Sequence, residues 1–364
     1  MTGVSAMKMN FIDLQRQYQL YKKDIDNAID EVLKSSRYVF GSQIEELENK
    51  LAEYVKAKYA VACGSGSDAI QLALMALNLK PGDEIITTPF TFIATAEIPA
   101  LLGLKPVFVD IDEKTYNIKP DLIEKQITKK TRAIIPVSIF GQVPEMDEIL
   151  SIAKKHNLFV IEDAAQSFGA EYKNQKSCSF GDIGVTSFFP AKPLGCYGEG
   201  GMAFTNNGEL AKTMKSIRNH GQGDKYQHHY IGFNGRLDTI QAAILLAKFK
   251  YYEEEIHARQ KAADYYTKNL NGEVVTPFIQ KYNKSVYAQY SIRVPDRDKM
   301  LKVFQENEIP AAVHYPLPVH LQPCFSYLGY KTGDFPVAES VCKKILSLPM
   351  FPQITSAEQD MVIH

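Results

Sequence analysis

A chain of 364 residues has room for one large α/β domain and a smaller one. Its 45% hydrophobic and 23% charged content and net charge of −1 are those of a globular protein, without the basic footprint that nucleic acid or an anionic membrane demands. No apolar run approaches the ~20 residues that span a bilayer, so the expected setting is the cytoplasm.

The first seven residues lack a charged, apolar-cored leader and read as an extension ahead of a start at Met7 or Met9. Helical spacing of Ile25, Ala28, Ile29 and Leu33 predicts a helix over 24–33, and a second amphipathic helix follows over 44–55. Apolar runs of strand length then occupy 59–63, 84–88, 106–110, 133–137 and 158–161, with helical patterns at 67–79 and 146–156 among them. Continuously apolar strands alternating with helices predict an α/β fold with a mainly parallel sheet covered on both faces. From Thr239 a single long helix is expected to run to Ala263. Beyond Asn271, strand-like stretches at 285–293 and 311–314 flank a helix over 298–306. The expected division is a large α/β domain over 1–240, then a connecting helix and small α+β domain over 241–364. The five cysteines are odd in number, widely spaced and without a C-x-x-C pair. They predict reduced thiols and no metal.

Three pieces of sequence fall at predicted strand ends, where open α/β sheets bind ligands. The first is the turn Cys63-Gly-Ser-Gly-Ser-Asp-Ala69. It reads either as a phosphate cradle at a helix start or as a helix merely capped by Ser67. Gly64, Gly66 and Ala69 also satisfy the dinucleotide spacing G-x-G-x-x-A, which makes an NAD-dependent oxidoreductase the rival. That fold needs an acid at the end of the next strand, where this chain has Thr87 and Thr88. The second piece is Glu162-Asp163-Ala-Ala-Gln166. A carboxylate after four apolar strand residues needs a cationic partner. A protonated pyridine nitrogen would supply one, with Gln166 able to bond a phenolic oxygen on the same ring; an Asp helix cap is the plain alternative. The third is Lys192, bracketed by Pro190 and Pro193, which hold its backbone extended. Burial would favour the deprotonated amine that imine formation requires, and Ser187 is within reach of a phosphate. Together these groups point to pyridoxal phosphate chemistry. The 29 residues from Asp163 to Lys192 leave room for one hairpin or short strand.

The ordered set Glu162-Asp-x-x-Gln166, Ser187-Phe-Phe-Pro-x-Lys192-x-Leu-Gly-x-x-Gly-x-Gly-Gly201, Arg218-Asn-His-Gly221 and Gly232-x-Asn-x-Arg236-Leu-Asp resembles the DegT/DnrJ/EryC1/StrS family of nucleotide-sugar aminotransferases. The likeness runs from about Asn10 to the C-terminus. It implies an aspartate-aminotransferase-type fold and a homodimer with active sites at the subunit interface. It further implies Lys192 as the Schiff-base lysine, Asp163 as pyridinium partner and Gln166 on the phenolic oxygen. Gly66, Ser67 and Ser187 would hold the phosphate and Phe92 would cover the ring. Asn234 and Arg236 would come from the partner subunit, toward phosphate and sugar nucleotide.

The C-terminal half, through Thr276-Pro-Phe-Ile279, Ala312-Val-His-Tyr-Pro316 and Leu346-Ser-Leu-Pro-Met350, resembles the branch aminating C3 of UDP-2-acetamido-2-deoxy-3-oxo sugars. Members of that branch serve O-antigen or lipid A synthesis. The resemblance implies L-glutamate as donor and 2-oxoglutarate as its product. It also implies a sugar pocket lined by His314, Tyr315 and His320. Ser138 stands where many members have histidine, and the implied place for it is the substrate end. Another keto-sugar nucleotide, such as a dTDP-3-oxo- or 4-oxo-6-deoxyhexose, is the alternative substrate. A dehydrase of the same fold would carry histidine in place of Lys192, and a non-catalytic regulatory module would have no use for the complete Lys192, Asp163 and Gln166 set.

Overall fold

The computed structural model describes residues 9–270 and 272–364. The expectations about a start at or before Met7, and Asn271 itself, lie outside the described residues. Two amphipathic helices, α1 (Leu14–Ser35) and α2 (Ser42–Val55), come first. Then β1 (Tyr59–Cys63), α3 (Gly66–Ala76), β2 (Glu84–Thr87), α4 (Ala94–Leu101), β3 (Lys105–Phe108), β4 (Thr131–Ile134), α5 (Met146–His156) and β5 (Phe159–Asp163) alternate. A hairpin of β6 (Glu171–Tyr172) and β7 (Gln175–Lys176) and the strand β8 (Ile183–Ser187) fill the interval between Asp163 and Lys192. Next come β9 (Gly201–Thr205), α6 (Gly208–Ile217), α7 (Thr239–Phe249) and α8 (Tyr252–Leu270). The rest is β10 (Asn283–Lys284), β11 (Tyr290–Arg293), α9 (Arg297–Glu306), α10 (Pro336–Lys344), β12 (Ile345–Leu348) and α11 (Ser356–Ile363).

Seven strands form the central sheet in the order β1-β9-β8-β5-β4-β2-β3. The pairs from β8 through β3 are parallel, and β9 runs antiparallel to both β8 and β1. Both faces are buried, which is why the strands read as unbroken apolar runs. Ile70, Leu72 and Met214 from α3 and α6 cover one face with Ile183 and Val185. Leu47, Leu51, Ile149, Leu245 and Tyr252 from α2, α5, α7 and α8 cover the other. The antiparallel β9 brings Gly201 opposite both Cys63 and Ser187, so the ends of β1 and β8 meet at one point.

Three local expectations change. The helix expected over 239–263 is two helices, parted at Lys250 and Tyr251. No glycine or proline marks the break. Lys250 Nζ and Tyr251 Oη both bond Asp24 of α1, at 2.9 and 2.6 Å, and the Tyr251 ring stacks on Tyr21 at 4.1 Å. The strand expected over 285–293 starts only at Tyr290, because Tyr287 has φ +44° and its N–H turns back to Ser285 Oγ at 3.0 Å. The stretch 311–314 contributes a single bridge, Ala312 to Ser347, rather than a strand.

Candidate active site

Asp163 closes β5, where backbone bonds to Pro136 and Ser138 (both 2.9 Å) clamp it into the sheet. Its Oδ2 accepts from Thr95 Oγ1 at 2.7 Å and its Oδ1 from Ala165 N at 3.2 Å. Thr91 Oγ1 in turn lies 3.0 Å from Thr95 Oγ1. No helix follows β5, so the carboxylate caps a turn rather than a helix. Burial pushes the Asp163 carboxyl above its ordinary value, opposed by the Thr95 and Ala165 bonds and then by the charge of Lys192. Lys192 answers in kind: surrounding protein lowers its ammonium below the usual lysine value, with Asp163 holding it up. Its residue surface is only half-buried, and its Nζ has no hydrogen-bond partner among the described residues. A crowded amine, shifted toward its free base beside a buried carboxylate, is equipped for carbonyl chemistry.

The phosphate turn differs from the sequence reading in one detail. Ser65, not Ser67, caps α3, accepting from Asp68 N at 3.0 Å. Ser67 is thereby released from the cap, and its hydroxyl has no protein partner among the described residues. Gly66 packs against Ser187 so closely that a Cβ would stand 2.7 Å from the Ser187 Cβ. The helix start of α3 and the Ser187 hydroxyl therefore share one small cradle. Phe92 is 55% exposed despite its size, an open ring face one turn before Thr95.

Gln166 is already engaged. Its Oε1 accepts from Phe140 N at 2.8 Å and its Nε2 donates to Tyr315 Oη at 3.0 Å. This ties Tyr315 to the site and fixes which end of the amide faces which neighbour. His314 is half-buried, with Nδ1 3.0 Å from Ser347 Oγ. Burial, then the nearby Lys192 charge, lowers its imidazole below the ordinary value.

Two expected substrate contacts are corrected. Ser138 is 0% exposed and turns its hydroxyl toward Glu162 Oε1, 3.5 Å away, on the far side of β5 from Asp163. His320 is 2% exposed, packed on Phe335 with ring centroids 4.6 Å apart and bonded to Glu339 at 3.2 Å. Both are sealed in protein and unavailable to a ligand. Asn234 is exposed, and Arg236 donates to Asn219 Oδ1 at 2.9 Å. Thr95 was missed from sequence. No local pattern marked it, since Thr91 lies in the turn before α4 and Thr95 inside the helix.

A mainly parallel sheet with an amine, a buried carboxylate and a phosphate cradle at its strand ends defines a carbonyl-cofactor enzyme of the α/β class. The chain belongs to the DegT/DnrJ/EryC1/StrS aminotransferase family, whose model matches residues 19–364. It is 48% identical over 350 residues to the UDP-2-acetamido-2-deoxy-3-oxo-D-glucuronate aminotransferase of Pseudomonas aeruginosa, covering 96% of this chain and 97% of that one. It is 39% identical over 355 residues to the UDP-N-acetyl-3-dehydro-alpha-D-glucosamine 3-aminotransferase of Acidithiobacillus ferrooxidans, covering 97% and 95%. Among solved structures, a family aminotransferase from Brucella abortus superposes with TM-score 0.94 at 42% identity, covering 98% and 97%. NtdA from Bacillus subtilis, solved with bound cofactor PMP, gives 0.91 at 32% identity, covering 100% and 85%. The protein is therefore an aminotransferase, and its site has the groups that pyridoxal 5'-phosphate requires. No helix among the described residues is long and apolar enough to cross a membrane.

Proposed function

We propose that the chain transfers the amino group of L-glutamate to the C3 keto carbon of a UDP-2-acetamido-2-deoxy-3-oxo-hexose or -hexuronate, using pyridoxal 5'-phosphate. The observation that carries this reading is Lys192, an amine shifted toward its free-base form beside the buried Asp163. The substrate class is supported by the two relatives that act on C3-keto UDP sugars across nearly the whole chain. When bound, the cofactor supplies a carrier for the amino group and an electron sink. Asp163, steadied by Thr95, would keep the pyridine nitrogen protonated. Gly66, Ser67 and Ser187 would hold the phosphate, Phe92 would cover the ring, and Gln166, braced by Tyr315, would take the phenolic oxygen. Lys192 would carry a proton to and from the substrate carbon in each half of a ping-pong exchange, the first half releasing 2-oxoglutarate.

The sugar lies over Lys192 beside His314 and Tyr315. Asn234 and Arg236 reach the site of a partner subunit in a cytoplasmic homodimer. The consecutive exposed apolar residues Tyr38, Val39 and Phe40, and the pair Tyr230 and Ile231, would be covered in such an interface. A reverse-reaction assay tests the substrate. With 2-oxoglutarate as acceptor, UDP-2-acetamido-3-amino sugars with and without a C6 carboxylate are compared. At least one should convert the enzyme to its amine form; inertness of both would refute the C3-keto UDP-sugar reading.

A further inference from the structure

His314 belongs to a buried chain of hydroxyls that the transfer chemistry leaves unused. Its Nδ1 is 3.0 Å from Ser347 Oγ, which is 2.8 Å from Ser291 Oγ. The two serines oppose each other across β11 and β12 and are 1% (Ser291) and 0% (Ser347) exposed. Ser347 exchanges two backbone bonds with Ala312, at 2.8 and 3.2 Å, so its hydroxyl is held rigidly two residues from the imidazole. The His314 ring is braced by Phe11 and Tyr315, at centroid separations of 6.1 and 5.8 Å. Its Nε2 has no protein partner among the described residues.

Each buried hydroxyl has one proton to place. Ser291 Oγ has Ser347 Oγ as its sole partner among the described residues, so its proton goes there. Ser347 then directs its own proton to His314 Nδ1, which accepts only when bare. The opposite direction strands the Ser291 proton in the core, a cost the first direction avoids. A neutral ring with bare Nδ1 carries its proton on Nε2.

We propose that Ser347 and Ser291 are positioning residues that hold His314 as its Nε2–H tautomer, presenting a hydrogen-bond donor to an acceptor oxygen of the sugar. The sugar part rests on the placement of His314 in the substrate pocket proposed above, whereas the tautomer does not. The donor suits a keto, hydroxyl or carboxylate oxygen; placed on the C3 oxygen, it would favour the keto-sugar over its aminated product.

Two readouts separate the parts. In holoenzyme labelled with 15N-histidine, with His314→Asn providing the assignment, the wild-type His314 resonances should show protonated Nε2 and bare Nδ1. Ser347→Ala should bring in the Nδ1–H form, and Ser291→Ala, which leaves Ser347 in place, should do so in part. A wild-type Nδ1–H ring, or a tautomer indifferent to both substitutions, overturns the relay. In kinetics, Ser347→Ala should raise KM for the keto-sugar about tenfold, the loss of one oriented hydrogen bond, with a much smaller change in kcat. A changed tautomer with unchanged KM overturns the sugar contact alone. The wild-type spectrum needs no variant to fold.

Discussion

Gly66 shows how tightly single positions are drawn at this site. Its neighbour across the cradle is the Ser187 Cβ rather than the tip of a flexible side chain, and 2.7 Å is too close for any methyl group. Gly66→Ala must push β8 and the α3 turn apart, so cofactor affinity should fall at least about tenfold while the fold survives. Titration of apoenzyme with pyridoxal phosphate, read by absorbance, measures this; an unchanged Kd would remove Gly66 from the cradle. Thr95 acts from the other side. Its hydroxyl keeps the Asp163 carboxylate charged against the burial that raises its pKa, so Thr95→Val should lower kcat and shift the acidic limb of its pH profile upward. An unaltered profile would show that Asp163 holds its charge without help.

At the scale of elements, α1 and α11 are joined through one ion pair although they lie at opposite ends of the chain. Arg16 grips both oxygens of Glu358, at 2.7 and 3.1 Å, and also bonds the Gln353 carbonyl at 2.8 Å. Glu358 at the same time closes the capping box of α11 with Thr355. The Arg16 bond, assisted by Thr355, holds the Glu358 carboxyl down to about 2, from an ordinary 4.5. A depressed acid contributes stability that is complete above its unfolded value and lost as pH falls through the folded one. The stabilisation should thus fade between about pH 4.5 and 2. Arg16→Ala should cost about 1 kcal/mol at pH 7, the guanidinium being partly solvated, and the gap from wild type should close in acid. Urea unfolding at both ends of that range gives the comparison, and equal midpoints at pH 7 would contradict it.

For the whole molecule, the shared site is the consequential claim. Among the described residues the Arg236 side chain bonds Asn219, and Asn234 stands exposed, which leaves both able to meet a neighbouring subunit. Sedimentation should give twice 40.9 kDa. Mixed Lys192→Ala and Arg236→Ala subunits then offer a sharper test. Each mixed dimer has one site with both residues intact, so random exchange should restore activity to roughly a quarter of the sites. No recovery after demonstrated exchange would mean that Lys192 and Arg236 act within one chain.

Much of this protein was legible without coordinates, and the reason is local. Buried strands must be apolar throughout and α5 must alternate faces, so β1, β2, β5 and α5 could be read from pattern. Lys192, Asp163, Gln166 and Ser187 stood out as candidates because loops next to a strand end hold residues that packing would not choose. What the sequence alone determined was therefore the α/β order, the kind of cofactor and the ordered set of candidate side chains. The tertiary structure decided what depends on residues far apart. The break between α7 and α8 falls where Lys250 and Tyr251 bond Asp24, over 200 residues away. The antiparallel β9 draws Cys63 and Ser187 to a common glycine. Ser138 and His320 look like ligands in one dimension, yet face Glu162 and Phe335. The direction of a side chain is set by its neighbours in space, and no local pattern encodes them.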